Sequence, residues 1–309
     1  MARKPKKPVT HQQLLEQELA VDRIALDTKR WRKPLGFFNE LEYAVRPQAH
    51  EGRFAHYGAF FATAEPTSAG WSWIRMNESD LDLGRKLADG IRSFTVFMDG
   101  KFAGVLTSDH GGMDEASLVL LIQTAFRGGA VITADASGIV RIIYPDGVAI
   151  HRNRRWREKP MVDAVISRAY DFVPFLLIPK LKEILSFAYH TLSPRHIGAT
   201  LIWCLETPTA SESQAMQPVV DLSTLNLEIG NAAHRSVLRH LLAQTDGATI
   251  VDANGKVVGT GAQLKVSSDS IKFISASPGT RHTSAQRFSF DCASAIGCNR
   301  IDRRSSHIV

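Results

Sequence analysis

Ala232–Thr260 reads AAHRSVLRHLLAQTDGATIVDANGKVVGT, and its three parts decide how the second half of the chain folds. Val237, Leu238, Leu241 and Leu242 recur at helical spacing, which predicts a helix over Ala232–Gln244. Gly247–Asp252 then turns apolar and β-branched, and Lys256–Thr260 repeats that character after Ala253-Asn254-Gly255. An Asn-Gly pair between two such runs is a strong hairpin signal, because both residues tolerate the positive φ of a tight turn. Upstream, Ile197–Leu205 is a continuous apolar run suited to a buried strand. Ser193-Pro194 precedes it and stops a long helical region that the sequence predicts over about Met161–Thr191. Helices alternating with strands around one buried strand predict an α/β layer structure.

The first half reads differently. Thr10 with Gln13 makes a capping box for a helix running to about Lys29. Arg92–Thr107 (RSFTVFMDGKFAGVLT) is a predicted hairpin with Asp99-Gly100 at its tip, and Asp114–Phe126 is predicted helical. Ala130–Ile150 gives two or three short strands, punctuated by Ala136-Ser137-Gly138 and Pro145-Asp146-Gly147. Trp71, Trp73 and Trp156 suit the core of this part, since aromatic side chains bury large areas. The expected division is residues 1–50 as an N-terminal helix with a basic tail, 51–157 as a smaller α+β domain, and 158–309 as the α/β domain.

Composition narrows the function classes. The 309 residues, 44% hydrophobic and 22% charged, are ordinary for a globular chain and enough for two cores. The net charge of +6 is concentrated in Ala2–Lys7 and His151–Lys159, a solvated tail and a solvated turn. A nucleic-acid binder is therefore ranked last, while a nucleotide polyphosphate suits the mild positive balance. The three cysteines form no Cys-x-x-Cys pair, so reduced thiols and a cytoplasmic location are expected. Ala116–Phe126 is too short to span a bilayer, and Phe172–Leu192 is broken by Pro174, Pro179 and three charges. Neither a G-x-x-x-x-G-K-[ST] loop nor a Ser-His-Asp or Cys-His arrangement is recognisable. Asp109, His110, Asp114 and Glu115 cluster, but a loop followed by a helix start accounts for them.

Two segments carry chemistry. Asp246-Gly247-Ala248 stands where the predicted helix ends and an apolar strand begins. Gly279-Thr280-Arg281-His282-Thr283-Ser284-Ala285 follows a loop and is predicted to open a helix. Glycine lets backbone approach a ligand closely, and a helix N-terminus offers free N–H groups and a positive dipole end to phosphate. Arginine adds a planar fork of donors for phosphate oxygens. A carboxylate at a strand edge, beside phosphates, suits Mg2+ or Mn2+.

Taken together, Asp-Gly-Ala followed across a hairpin by Gly-Thr-Arg-His resembles the diadenylate cyclase family, the DAC or DisA N-terminal domain. Leu192-Ser193-Pro194 before Ile197-Gly198-Ala199-Thr200-Leu201 is similar to the entry into that family's first core strand. Gly261 and Leu264 lie where the family places a stretch against adenine. The resemblance covers about Ile178 to Asp291 and implies a central mixed sheet flanked by helices. It implies that two ATP molecules are joined into cyclic di-AMP by a homodimer or larger homo-oligomer, with a divalent metal. Asp246 would bind the metal and orient the attacking 3′-hydroxyl. Gly247 and Ala248 would give backbone room beside the nucleotide, and Leu264 would lie at the base. Gly279, Thr280, Arg281, His282 and Thr283 would hold the triphosphate. More loosely, the first half resembles the sensor-like modules that precede cyclase domains.

Two departures from the family pattern stand out. Thr283 occupies a position where many members carry a second arginine. Asp291–Val309 (DCASAIGCNRIDRRSSHIV) is polar and arginine-rich, and no final strand or Ser-acid turn is expected in it. The alternative expectation is accordingly a catalytically impaired nucleotide-binding sensor.

Overall fold

In the computed structural model, which describes residues 10–24, 26, 36–46, 49–50, 53–62, 70–109, 111–126, 128–170, 173–276, 280–292, 295–299 and 307–308, the chain divides into two units. They are Met1–Met161 and Val162–Val309.

The first unit holds helices α1 (His11–Val21), α2 (Gly36–Val45), α3 (Leu81–Leu87) and α4 (Glu115–Gln123). Strands β1 (Ala49–His50) and β2 (Arg53–Phe54) pair as a short ribbon. Eight more follow: β3 (Tyr57–Ala62), β4 (Trp71–Arg75), β5 (Ser93–Met98), β6 (Lys101–Ser108), β7 (Ala130–Ala134), β8 (Val140–Tyr144), β9 (Gly147–Arg152) and β10 (Arg155–Pro160). They form one sheet in the order β10-β9-β8-β7-β3-β5-β6-β4. Only the β3–β5 pair in it is parallel.

Both faces of this sheet are covered. Side chains alternate along a strand, so Phe60 and Phe61 of β3 face opposite layers. Phe61, Ile132 and Ile142 pack with Leu15, Leu19, Phe37 and Leu41 of α1 and α2. Phe60, Val131 and Ile143 pack with Leu118 and Ile122 of α4. The residues before position 51 thus supply core to the first unit. The capping box of Thr10 and Gln13 is present, and α1 ends at Val21. The predicted hairpin is β5–β6, turning through Asp99 (φ 46°) and Gly100 (φ 79°). Trp156 is buried at 2% exposure, while Trp71 and Trp73 are partly buried.

The second unit holds α5 (Val162–Ile166), α6 (Ile178–Ser186), α7 (Ala210–Ala215), α8 (Ala232–Gln244), α9 (Ser268–Phe273) and α10 (Thr280–Asp291). Its strands are β11 (Thr200–Cys204), β12 (Val220–Asp221), β13 (Ala248–Val251), β14 (Val257–Ala262), β15 (Ala295–Asn299) and β16 (His307–Ile308). The sheet order is β12-β14-β13-β11-β15-β16, with β11 and β13 parallel and the remaining pairs antiparallel. β11 is the strand predicted from its apolar run, and all five residues are buried. Leu201, Trp203 and Val251 face Leu181, Leu185, Leu238 and Leu242 on one side of the sheet. Ile202, Cys204, Ala248, Ile250 and Ala262 face Met216, Phe288 and Cys292 on the other. This is a mixed sheet between two layers of helix, as α/β patterning requires.

Two expectations need correction. The helical region before Ser193 is not one long helix. It breaks into α5, a 3-10 turn at Ser167–Ala169, a second at Phe175–Leu177, then α6 and a π-helical turn at Phe187–Leu192. Pro174 lacks an amide donor and disfavours helix in the residue before it, which separates α5 from α6. The second concerns the end of the chain, where no strand was expected. β15 is there, pairing antiparallel with β11 from Thr200↔Asn299 to Cys204↔Ala295. Its five residues, Ala-Ile-Gly-Cys-Asn, are too few and too weakly patterned to announce a strand among polar neighbours. The open edge of β11, a row of unpaired backbone groups, supplies the pairing. The expected absence of a Ser-acid turn concerns residues beyond β15 that lie largely outside the described ones.

Candidate functional site

Backbone geometry at the β13–β14 hairpin base explains its glycines. Gly247 has φ +97° and Gly261 has φ +79°, values that side-chain-bearing residues rarely adopt. A Cβ on Gly247 would lie 2.7 Å from the Gly261 carbonyl carbon and 2.9 Å from the Ala262 carbonyl oxygen. The two segments therefore meet backbone to backbone. Ala248 opens β13, opposite Thr200 of β11 and Ala262 of β14, and is buried. Behind it the Thr249 and Thr260 hydroxyls bond each other at 2.9 Å, which ties the hairpin arms together in the core.

Asp246 precedes this pair. Helix α8 ends at Gln244, and the Thr245 hydroxyl donates to the Leu241 carbonyl at 2.8 Å. The chain then turns extended and leaves the Asp246 side chain 97% exposed at the end of the sheet. Leu264, half-buried beyond β14, packs against the cluster that contains Ala248, Ala262 and Phe288.

Helix α10 brings the other segment. Ala285 and Phe288 anchor it against the sheet, and the Asp291 carboxylate accepts from the Ser267 backbone (2.7 Å) and hydroxyl (2.6 Å). Its first turn carries Thr280, Arg281 and His282. Arg281 Nη2 donates to an Asp246 carboxylate oxygen at 2.9 Å. The same guanidinium lies over the bare backbone of Gly198, just before β11. His282 Nε2 is 3.1 Å from Gln286 Nε2, one turn along the helix. Thr283 is half-buried on the same helix. Gly279 lies outside the described residues.

The structure thus brings Asp246, Gly247, Arg281 and Gly198 together, with Ala248 and Leu264 behind them on the sheet face toward α10. Gly198 had signalled only the entry to a strand, because its partner in space is remote in sequence. A carboxylate, a guanidinium and the first turn of a twelve-residue helix can together bind a polyanion and order a cation beside it. No group of three or more His, Cys, Asp or Glu side chains that could hold a metal occurs among the described residues. Asp246 is thus a single, exposed carboxylate. That donor set fits Mg2+ or Mn2+ completing its shell with phosphate oxygens and water, and does not fit a dedicated protein cage.

Other candidates resolve into structural roles. Asp114 caps α4 by accepting from the Ser117 backbone at 2.9 Å. Glu115 is buried and pairs with Lys159 and Arg141. His234 Nδ1 accepts from the Glu228 backbone at 3.1 Å. Burial pushes the Cys204 thiol up to about 12, with Cys292 and Glu212 nearby adding to it. No described helix is long and apolar enough to cross a membrane.

Against this geometry stand the comparisons with known proteins. Residues 186–296 match the family model described as the DisA bacterial checkpoint controller nucleotide-binding domain, DAC. Residues 14–160 match the model described as probable sensor domain DACNK. No curated protein matches the chain. The DAC match includes Gly198, Asp246 and Arg281 and ends at Ile296, the second residue of β15.

Proposed function

We propose that this chain, which carries a DAC nucleotide-binding domain behind a DACNK sensor domain, binds ATP and joins two ATP molecules into cyclic di-AMP. The observation that carries the reading is the Arg281–Asp246 contact at 2.9 Å, a phosphate-type cation and a metal-type anion side by side within the DAC match.

In this reading Arg281, His282 and the first turn of α10, with Gly279 and Thr283, hold the triphosphate. Gly247 leaves room beside the nucleotide, with Ala248 behind it, and Leu264 packs at the base. Asp246 holds Mg2+ or Mn2+ and orients the 3′-hydroxyl. The cation, when bound, offsets charge on the phosphate oxygens. Each 3′-oxygen bonds the α-phosphorus of the other nucleotide as the α–β bridging bond breaks, and pyrophosphate leaves with the electron pair. The hydroxyl proton passes to water. Such catalysis is positioning and charge stabilisation, and needs no covalent nucleophile. It requires two copies of the domain facing each other, so a homodimer or larger assembly is part of the proposal, with regulation by the first domain.

The test is incubation of the purified chain with ATP and Mg2+ or Mn2+, with mass spectrometry for cyclic di-AMP. Product that vanishes in Asp246→Asn supports the reading. Saturable ATP binding without product would favour a second one, a nucleotide-binding sensor, to which Thr283 points because a hydroxyl brings no charge to the phosphates.

A further inference from the structure

Gly198 has no positive φ to explain it, and the sequence around it, Ile197-Gly198-Ala199, needs no glycine to enter a strand. What surrounds it is specific. Among the described residues, its own chain neighbours aside, a Cβ built on Gly198 would meet within 4 Å only the Arg281 guanidinium, at 2.7 Å from Nη1 and 3.5 Å from Cζ. The guanidinium would have to shift to admit it, since real Cβ atoms essentially never approach to 2.7 Å. The same guanidinium donates to Asp246 through Nη2.

We propose that Gly198 is a positioning residue for Arg281. Its bare backbone is the seat against which the Nη1 end of the guanidinium rests, so the fork that meets Asp246 and the nucleotide phosphates has one direction. The nucleotide part of this inference rests on the function proposed above; the seat itself does not. Arg281 is a long side chain, half-exposed at 52%, with several rotamers open to it. Its neighbours on α10 set where its Cα is, and something must set where its tip goes. Gly198 does this from another element. Bidentate recognition of phosphate depends on the plane of the guanidinium as well as its charge, so a displaced fork loses affinity while the charge remains.

Gly198→Ala isolates the effect, because the added methyl meets a flexible side-chain tip and imposes no backbone strain. Two measurements test it. In the ligand-free protein, the Arg281 side-chain Nε–Hε resonance, assigned by its loss in Arg281→Ala, is expected to shift in Gly198→Ala with an unchanged melting temperature. An unmoved resonance overturns the proposal whether or not the protein binds ATP. By calorimetry, ATP with Mg2+ is expected to bind Gly198→Ala about 3- to 10-fold more weakly than the parent chain, and to bind Arg281→Ala and the double variant equally. Additive losses in the double variant would mean that Gly198 acts through something other than Arg281, and would also overturn it. Absence of ATP binding by the parent chain would instead sink the function proposed above, leaving the resonance to decide the role of Gly198.

Discussion

Arg281 Nη2 and the Asp246 carboxylate, 2.9 Å apart, join the first turn of α10 to the start of β13. Both side chains are solvent-accessible, the carboxylate almost completely. An exposed pair of this kind contributes about 0–1 kcal/mol to stability, so its loss leaves the fold intact. The contact matters as a placement of charge.

Function and stability are therefore expected to separate at these residues. Asp246→Asn should abolish cyclisation, and Arg281→Ala should weaken ATP binding by about 10- to 100-fold, the worth of a charge-assisted hydrogen bond to phosphate. Neither should move the urea midpoint measurably. Cyclisation at an unchanged rate in Asp246→Asn would remove that residue from the mechanism.

Gly247 behaves in the opposite way. Its φ of +97° and the backbone atoms 2.7–2.9 Å from a virtual Cβ leave alanine nowhere to go. Gly247→Ala is expected to cost about 1–3 kcal/mol in the second unit. Chemical denaturation followed by Trp203, buried in that unit, reads it. A cost below about 0.5 kcal/mol, the scatter of ordinary surface changes, would contradict the backbone-to-backbone contact.

Ending the chain at Asp291 removes β15 and exposes the edge of β11 that it covers. The second unit should lose its cooperative transition or aggregate through the open edge, while the first unit, with its own core, keeps its own. Limited proteolysis of the shortened chain distinguishes the two units. A second unit as resistant as the parent's would show β15 to be dispensable.

In the first unit, Glu40 is fully buried, accepts from Arg85 at 2.6 Å and from the Tyr57 hydroxyl, and has few alternatives. Burial, then the Glu40 charge, holds the Tyr57 phenol well above its ordinary value, so the tyrosine stays a donor. Arg85→Ala would leave a buried carboxylate without its cation and is expected to cost about 3–5 kcal/mol by denaturation. A cost near zero would mean that water reaches Glu40.

The same unit should weaken in acid. Burial alone would raise the Asp135 carboxyl, but hydrogen bonds from Ser137 and Arg141 outweigh it and hold the group below its usual value. A carboxylate depressed in the folded state contributes stability above its unfolded value, near about 3.9, and loses it as pH falls through the folded one. The denaturation midpoint should drop below about pH 4, and Asp135→Asn should flatten that part of the profile. An unchanged slope in the variant would assign the acid sensitivity elsewhere.

Local patterns carried much of this protein in the sequence alone. The α8 helix is legible because four apolar residues keep one face, and both hairpins because Asp-Gly and Asn-Gly accept the torsions a tight turn needs. The Asp-Gly-Ala and Gly-Thr-Arg-His segments, read together, pointed to the domain that residues 186–296 match. Tertiary structure alone decided the rest. β15 is a strand because β11 has an edge to fill, and Gly198 is an arginine seat because α10 returns over it. Neither property is written in the neighbouring residues, since pairing across a sheet and contact between distant elements depend on where the whole chain brings them.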